Sequence, residues 1–115
     1  MSRNVYAVFS RRPEGVSAEE YNAWYAHHAR ENVEVPGLLR AERFAATLTS
    51  GAEADKGSEW HLALYEFEGD PDTWRADLRR RRAAGEVDLP VWFDGVEFRS
   101  WVCIGVESGI EAPPA

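Results

Sequence analysis

The feature that most restricts the fold is a strand, helix, strand order that runs twice along the chain. Asn4 to Ser10 alternates, with Val5, Ala7 and Phe9 on one side and Tyr6, Val8 and Ser10 on the other, the two-residue period of a half-buried strand. Arg11 to Val16 contains Pro13 and Gly15 and reads as a loop. Ser17-Ala18-Glu19-Glu20 is a capping box, in which the Ser17 hydroxyl and the Glu20 carboxylate each satisfy a free amide at a helix start. This pattern predicts a helix from Ala18 to Val33, stopped by Pro36 and Gly37, and then an extended segment from Leu38 to Thr49. After a polar loop, Ser50 to Ser58, the order repeats. Glu59 to Phe67 sets Trp60, Leu62 and Leu64 against His61, Ala63, Tyr65 and Phe67. Asp70 and Pro71 then supply an N-cap and a first-turn proline for a second helix that runs to about Ala84. Asp88 to Gly95 is a connector with Trp92 and Phe93, and Val96 to Val106 is the last strand.

Two such units in a chain of 115 residues predict an α+β, ferredoxin-like βαββαβ sandwich: a four-stranded antiparallel sheet with two helices on one face. Residues 1–108 are expected to form this single domain and residues 109–115 a flexible C-terminal tail. The other face of the sheet is expected to carry Tyr6, Val8, His61, Tyr65, Phe67, Trp101 and Cys103 or their neighbours. A monomer cannot hide such a face, so the chain is expected to be a homodimer through it.

Charge narrows the partners. A formal charge of −7 disfavours nucleic acid and anionic membrane, which recruit clustered positive charge. The run Arg79-Arg80-Arg81-Arg82 covers a full helical turn, so its members cannot share a face. Trp74, Leu78 and Arg81 are expected to mark the inward side, and the other arginines to be solvated and to offset the helix dipole. The single cysteine, Cys103, permits no internal disulfide and reads as a packed residue of the last strand. Without a long apolar run, the chain is expected to be cytoplasmic. Five tryptophans imply a large aromatic core, a cavity wall or a subunit interface.

Chemistry is best supported on the first helix, which holds two of the three histidines. Residues three and four apart share a helix face, so Tyr21, Trp24, Tyr25, His28, Asn32 and Val35 form one stripe toward the sheet. His27 is turned by about 100° from His28 and points to the edge or to solvent. Burial among aromatics disfavours imidazolium, which leaves His28 a neutral ring able to accept a proton. Glu31 is placed to orient it, and Arg43, in the second strand, to polarise a carbonyl or phenolate oxygen unless it pairs with Glu31 or Glu66. Tyr6, Tyr21, Trp24, Tyr25 and Trp60 are the expected pocket walls, whereas His61 falls on the face opposite Trp60, toward a dimer contact. A metal at His28 and Glu31 lacks further ligands, and no phosphate-binding loop, nucleotide fingerprint or Ser/His/Asp signature occurs, so no metal or cofactor is expected.

Trp24-Tyr25, His28, Glu31, Val35-Pro36-Gly37 and Arg43-Phe44 resemble the first-helix signature of EthD-like proteins of the dimeric α/β-barrel superfamily. WHLALYEFEG, Trp60 to Gly69, looks like the third strand of that family entering the second helix, and the resemblance covers residues 4 to 106. It implies that the homodimer closes a dimeric α/β barrel, with a hydrophobic pocket between helices and sheet reached by the helix-one histidine, which is His28 by both spacings. It also implies cofactor-free chemistry on aromatic or polyketide-like metabolites, such as isomerisation, cyclisation, dehydration or anthrone-type oxygenation, or a non-catalytic binding protein of the same fold. Haem-degrading members place a histidine on the later helix, and none lies between Asp70 and Ala84.

Overall fold

The computed structural model describes residues 3–51 and 59–114. Its elements are β1 (Asn4–Arg11), α1 (Ala18–Asn32), β2 (Leu38–Thr47), β3 (Glu59–Phe67), α2 (Pro71–Ala83) and β4 (Glu97–Cys103), with a 3-10 turn at Phe93–Gly95 before β4. The strands form one antiparallel sheet in the order β2-β3-β1-β4, so the two halves interleave in the ferredoxin-like βαββαβ arrangement. Most of the polar loop expected at Ser50 to Ser58 lies outside the described residues.

Local chemistry sets the helix ends. Ser17 Oγ accepts from the Glu20 amide at 3.1 Å, and Asp70 Oδ1 accepts from the Asp72 amide at 2.9 Å. The chain leaves α1 through Pro36 and turns at Gly37, whose φ of +104° falls in the region glycine tolerates. A Cβ there would stand 3.2 Å from Trp74 Cδ1, and the Gly37 carbonyl accepts from the Glu68 amide at 2.9 Å. The exit of α1 and the entry of α2 are thereby clasped together. β4 is shorter than its apolar run predicts, because after Cys103 the Gly105 amide turns to the Asn4 side chain at 3.0 Å.

Strand register decides which residues meet the helices, since direct antiparallel partners project to the same side. Tyr6 pairs with Tyr65 and Val102, Val8 with Ala63 and Ser100, and Ser10 with His61 and Phe98. Both helices cover this set: Tyr21 of α1 donates to Ser10 Oγ at 2.6 Å, and the Trp74 ring of α2 lies 4.8 Å from Tyr6. The core therefore gathers Val8, Tyr21, Tyr25, Val35, Tyr65, Phe67 and Trp74 between sheet and helices.

For β1 and β3 the covered and open faces are the reverse of those expected. Tyr6, Val8, His61, Tyr65 and Phe67 face the helices, and the His61 ring packs, tilted by 47°, 4.7 Å from Tyr21 rather than at a dimer contact. Trp101 and Cys103 lie on the open face as expected, but with Val5, Ala7, Phe9, Phe44, Leu62 and Leu64. Alternation fixes which residues share a face, and only packing of the helices decides which face is covered. Trp60 is also on the open face, where Arg11 and Arg99 lie 5.3 and 5.2 Å over its ring and keep it buried.

Candidate functional site

A cavity of about 290 Å³ lies between the two helices and the sheet, on the covered face. Tyr6, Val8, Tyr65 and Ser100 of the sheet form its floor, Tyr25, His28 and Asn32 of α1 one wall, and Leu78, Arg79 and Arg82 of α2 the other. The connector closes the end with Val87, Leu89 and Phe93. Its volume is at the lower end of those of small-molecule pockets.

His28 is the central group. Its imidazole stacks on Trp24 at 4.8 Å and 22°, and meets the Tyr25 ring edge-on at 5.6 Å. Its Nδ1 is buried without a hydrogen-bond partner. Burial, then the positive charges of Arg82 and of His27, lower its pKa from 6.5 to about 4. The ring is neutral at pH 7.

Two of the expected partners are placed elsewhere. Glu31 accepts from the Asp88 amide at 3.2 Å and lies 3.7 Å from His27 Nε2, so it anchors the connector and pairs with the outward histidine instead of orienting His28. The reason is angular: Glu31 is one full turn beyond His27, and the Asp88 backbone lies on that side. Arg43 bonds Asn22 Oδ1 at 2.9 Å and covers the Tyr25 ring at 4.8 Å, so it pairs with neither Glu31 nor Glu66. It does not line the cavity and reaches it only through Tyr25.

Among the expected wall residues, Tyr6 and Tyr25 line the cavity, whereas Tyr21, Trp24 and Trp60 do not. Tyr21 is wholly buried and tied to Ser10. Trp24 backs His28 from outside and donates from Nε1 to the Asp88 carbonyl at 3.1 Å. Trp60 lines a separate apolar recess of about 310 Å³ on the open face, with Phe9, Leu48, Arg99 and Trp101.

The structure adds residues that sequence reasoning left out of the site. Asn32 Nδ2 donates to the Tyr65 hydroxyl at 3.0 Å; because the phenol oxygen accepts this bond, the Tyr65 proton stays available for another acceptor. Burial raises Tyr65 to about 12, and the Tyr25 phenol also well above its usual value, so both remain donors near neutral pH. The helical stripe contained Asn32, and its three- and four-residue spacing is the signal that pointed to it. Within the arginine run Arg81 is half-buried and Arg79, Arg80 and Arg82 are exposed, as expected, and two of the exposed arginines border the cavity. Arg81 bonds Asp77 at 3.3 Å, while Arg79 and Arg82 reach the cavity.

Among the described residues, no three His, Cys, Asp or Glu side chains come together in an arrangement that could hold a metal ion. No described helix is long and apolar enough to cross a membrane. Comparison with family models, curated proteins and solved structures gives no match to this chain.

Proposed function

We propose that the chain is an EthD-like, cofactor-independent enzyme acting on a small hydrophobic aromatic or polyketide-like molecule. The observation that carries this reading is a neutral histidine in the wall of a cavity that also holds a phenol donor, Tyr65, positioned by Asn32. In the proposed step, His28 carries its own proton on the buried Nδ1 and accepts a second proton, from an acidified carbon, through Nε2. The C–H electron pair becomes a C=C bond, the π pair of the conjugated carbonyl moves onto its oxygen as an enolate, and the Tyr65 O–H stabilises that oxygen. Tyr65 thus takes the polarising role that the sequence suggested for Arg43. Isomerisation, cyclisation, dehydration and carbanion oxygenation share this first step.

The assembly proposed with this reading is a homodimer in which two open sheet faces meet and close a barrel. What supports it is the exposure of Trp101 (54%) and Phe44 (44%) beside Phe9 and Leu62, an apolar surface that an isologous pair would bury.

Proton abstraction is tested with anthrone as probe, following exchange of its benzylic protons in deuterated buffer. The expected result is exchange above the buffer rate that falls to it in a folded His28→Ala variant. An unchanged rate in that variant refutes the assignment of His28. One observation favours a second reading, a binding protein without turnover: an imidazole of pKa about 4 is a weak base at neutral pH. In that case His28→Ala leaves retention of the ligand nearly unchanged, whereas Ser100→Trp, which fills the cavity, abolishes it.

A further inference from the structure

The cations of α2 divide into two groups. Arg80 lies 2.7 Å from Asp77 and 3.1 Å from Glu86, Arg81 lies 3.3 Å from Asp77, and Arg75 lies 3.8 Å from Asp72. Arg79 and Arg82 have no carboxylate partner among the described residues, and they are the two that line the cavity. The guanidinium of Arg82 lies 4.7 Å over the Phe93 ring, a contact that favours its place at the rim. The cavity lining includes no Asp or Glu, although the chain has 20 acidic residues against 13 Lys and Arg. Two cations without a carboxylate partner thus stand at the mouth of an aromatic cavity whose lining holds no acid.

We propose that the ligand of this cavity is an aromatic carboxylate, with its carboxylate held by Arg79 and Arg82 and its rings among Tyr6, His28 and Phe93. The inference rests on the reading of this cavity as a small-molecule site and specifies its substrate class. A guanidinium pair suits a carboxylate because each planar fork can donate two parallel hydrogen bonds. Binding also has a chemical consequence. A carboxylate against Arg82 cancels one of the charges that hold His28 neutral, so the anion makes the imidazole a better proton acceptor at the moment the substrate is in place.

The test uses the full chain with 2-naphthoate and its uncharged counterpart 2-naphthamide, followed at pH 7 by tryptophan fluorescence and calorimetry. Naphthoate is expected to bind about tenfold or more tightly than the amide, the scale of charge-assisted hydrogen bonds at a partly exposed rim. Arg79→Gln with Arg82→Gln removes that preference and leaves amide affinity within about twofold, whereas Arg75→Gln, an equal charge change at a paired arginine, keeps it. Either single glutamine variant serves if the double variant is poorly folded. Naphthoate is also expected to raise the pKa of His28, read by imidazole NMR, in the native chain and not in Arg82→Gln. Equal binding of the two probes, or a preference that survives in the double variant, overturns the carboxylate assignment while the cavity remains a ligand site. Binding of neither probe overturns both the assignment and the reading beneath it.

Discussion

On the covered face of the sheet, Tyr21, Tyr65 and Trp74 are almost wholly excluded from solvent, and the Tyr21 and Tyr65 hydroxyls are paired with Ser10 and Asn32. On the open face, Trp101 and Phe44 keep about half their surface exposed, and Trp101 meets Phe9 edge-on at 5.7 Å. Aromatic content is thus shared by the two faces, and the phenol hydroxyls are not. Rings with hydroxyls occupy the side where helices supply partners, while Phe and Trp dominate the side that has none. A buried hydroxyl requires a partner already in place. A ring without one can await a second surface.

This contrast predicts how the faces respond to change. The largest effect belongs to the covered face: Trp74→Ala is expected to cost about 3–5 kcal/mol, measured as the shift in urea midpoint at constant slope. A loss below about 1 kcal/mol would show that the helices are not locked to the sheet through this ring. Next is acid. In the unfolded chain His28 protonates near 6.5 and in the folded chain near 4, so the stability held above pH 6.5 is lost as pH falls to 4. That loss amounts to about 3 kcal/mol. Urea titrations across this range, compared with His28→Gln, isolate it, and parallel curves for the two proteins would deny the depressed pKa. Tyr21→Phe is smaller, about 1–2 kcal/mol, because it leaves the Ser10 hydroxyl buried without its partner. The least effect on folding is expected on the open face, where Trp101→Lys changes monomer stability by about 1 kcal/mol or less. The same variant is expected to shift sedimentation from dimer to monomer. A stable Trp101→Lys dimer would contradict the proposed use of this face.

The parts of the fold legible in the sequence are those set by near neighbours. Ser17 and Asp70 cap the helices, and Pro36-Gly37 stops the first, because each acts within a few residues. Which side of β1 and β3 the helices cover was not legible, since Tyr6 and Val8 alternate with Ala7 and Phe9 equally well in either orientation. The site divides in the same way. Periodicity placed Tyr25, His28 and Asn32 on one face of α1. The partners of Glu31 and Arg43 depended on where the connector and Asn22 lie in space. Arg79 and Arg82 were hidden within a run of identical residues, whose roles differ only through the positions of Asp77, Glu86 and Phe93.

The clasp between Gly37 and Trp74 has a geometric consequence. Gly37 cannot acquire a side chain without meeting the indole, and its positive φ would strain most replacements even if that ring were trimmed. The indole therefore works as a gauge block. Its thickness fixes how far α2 stands from the end of α1, one turn before Leu78 enters the cavity wall. At that end the width available to a guest is a property of the protein's own packing, set before any guest arrives.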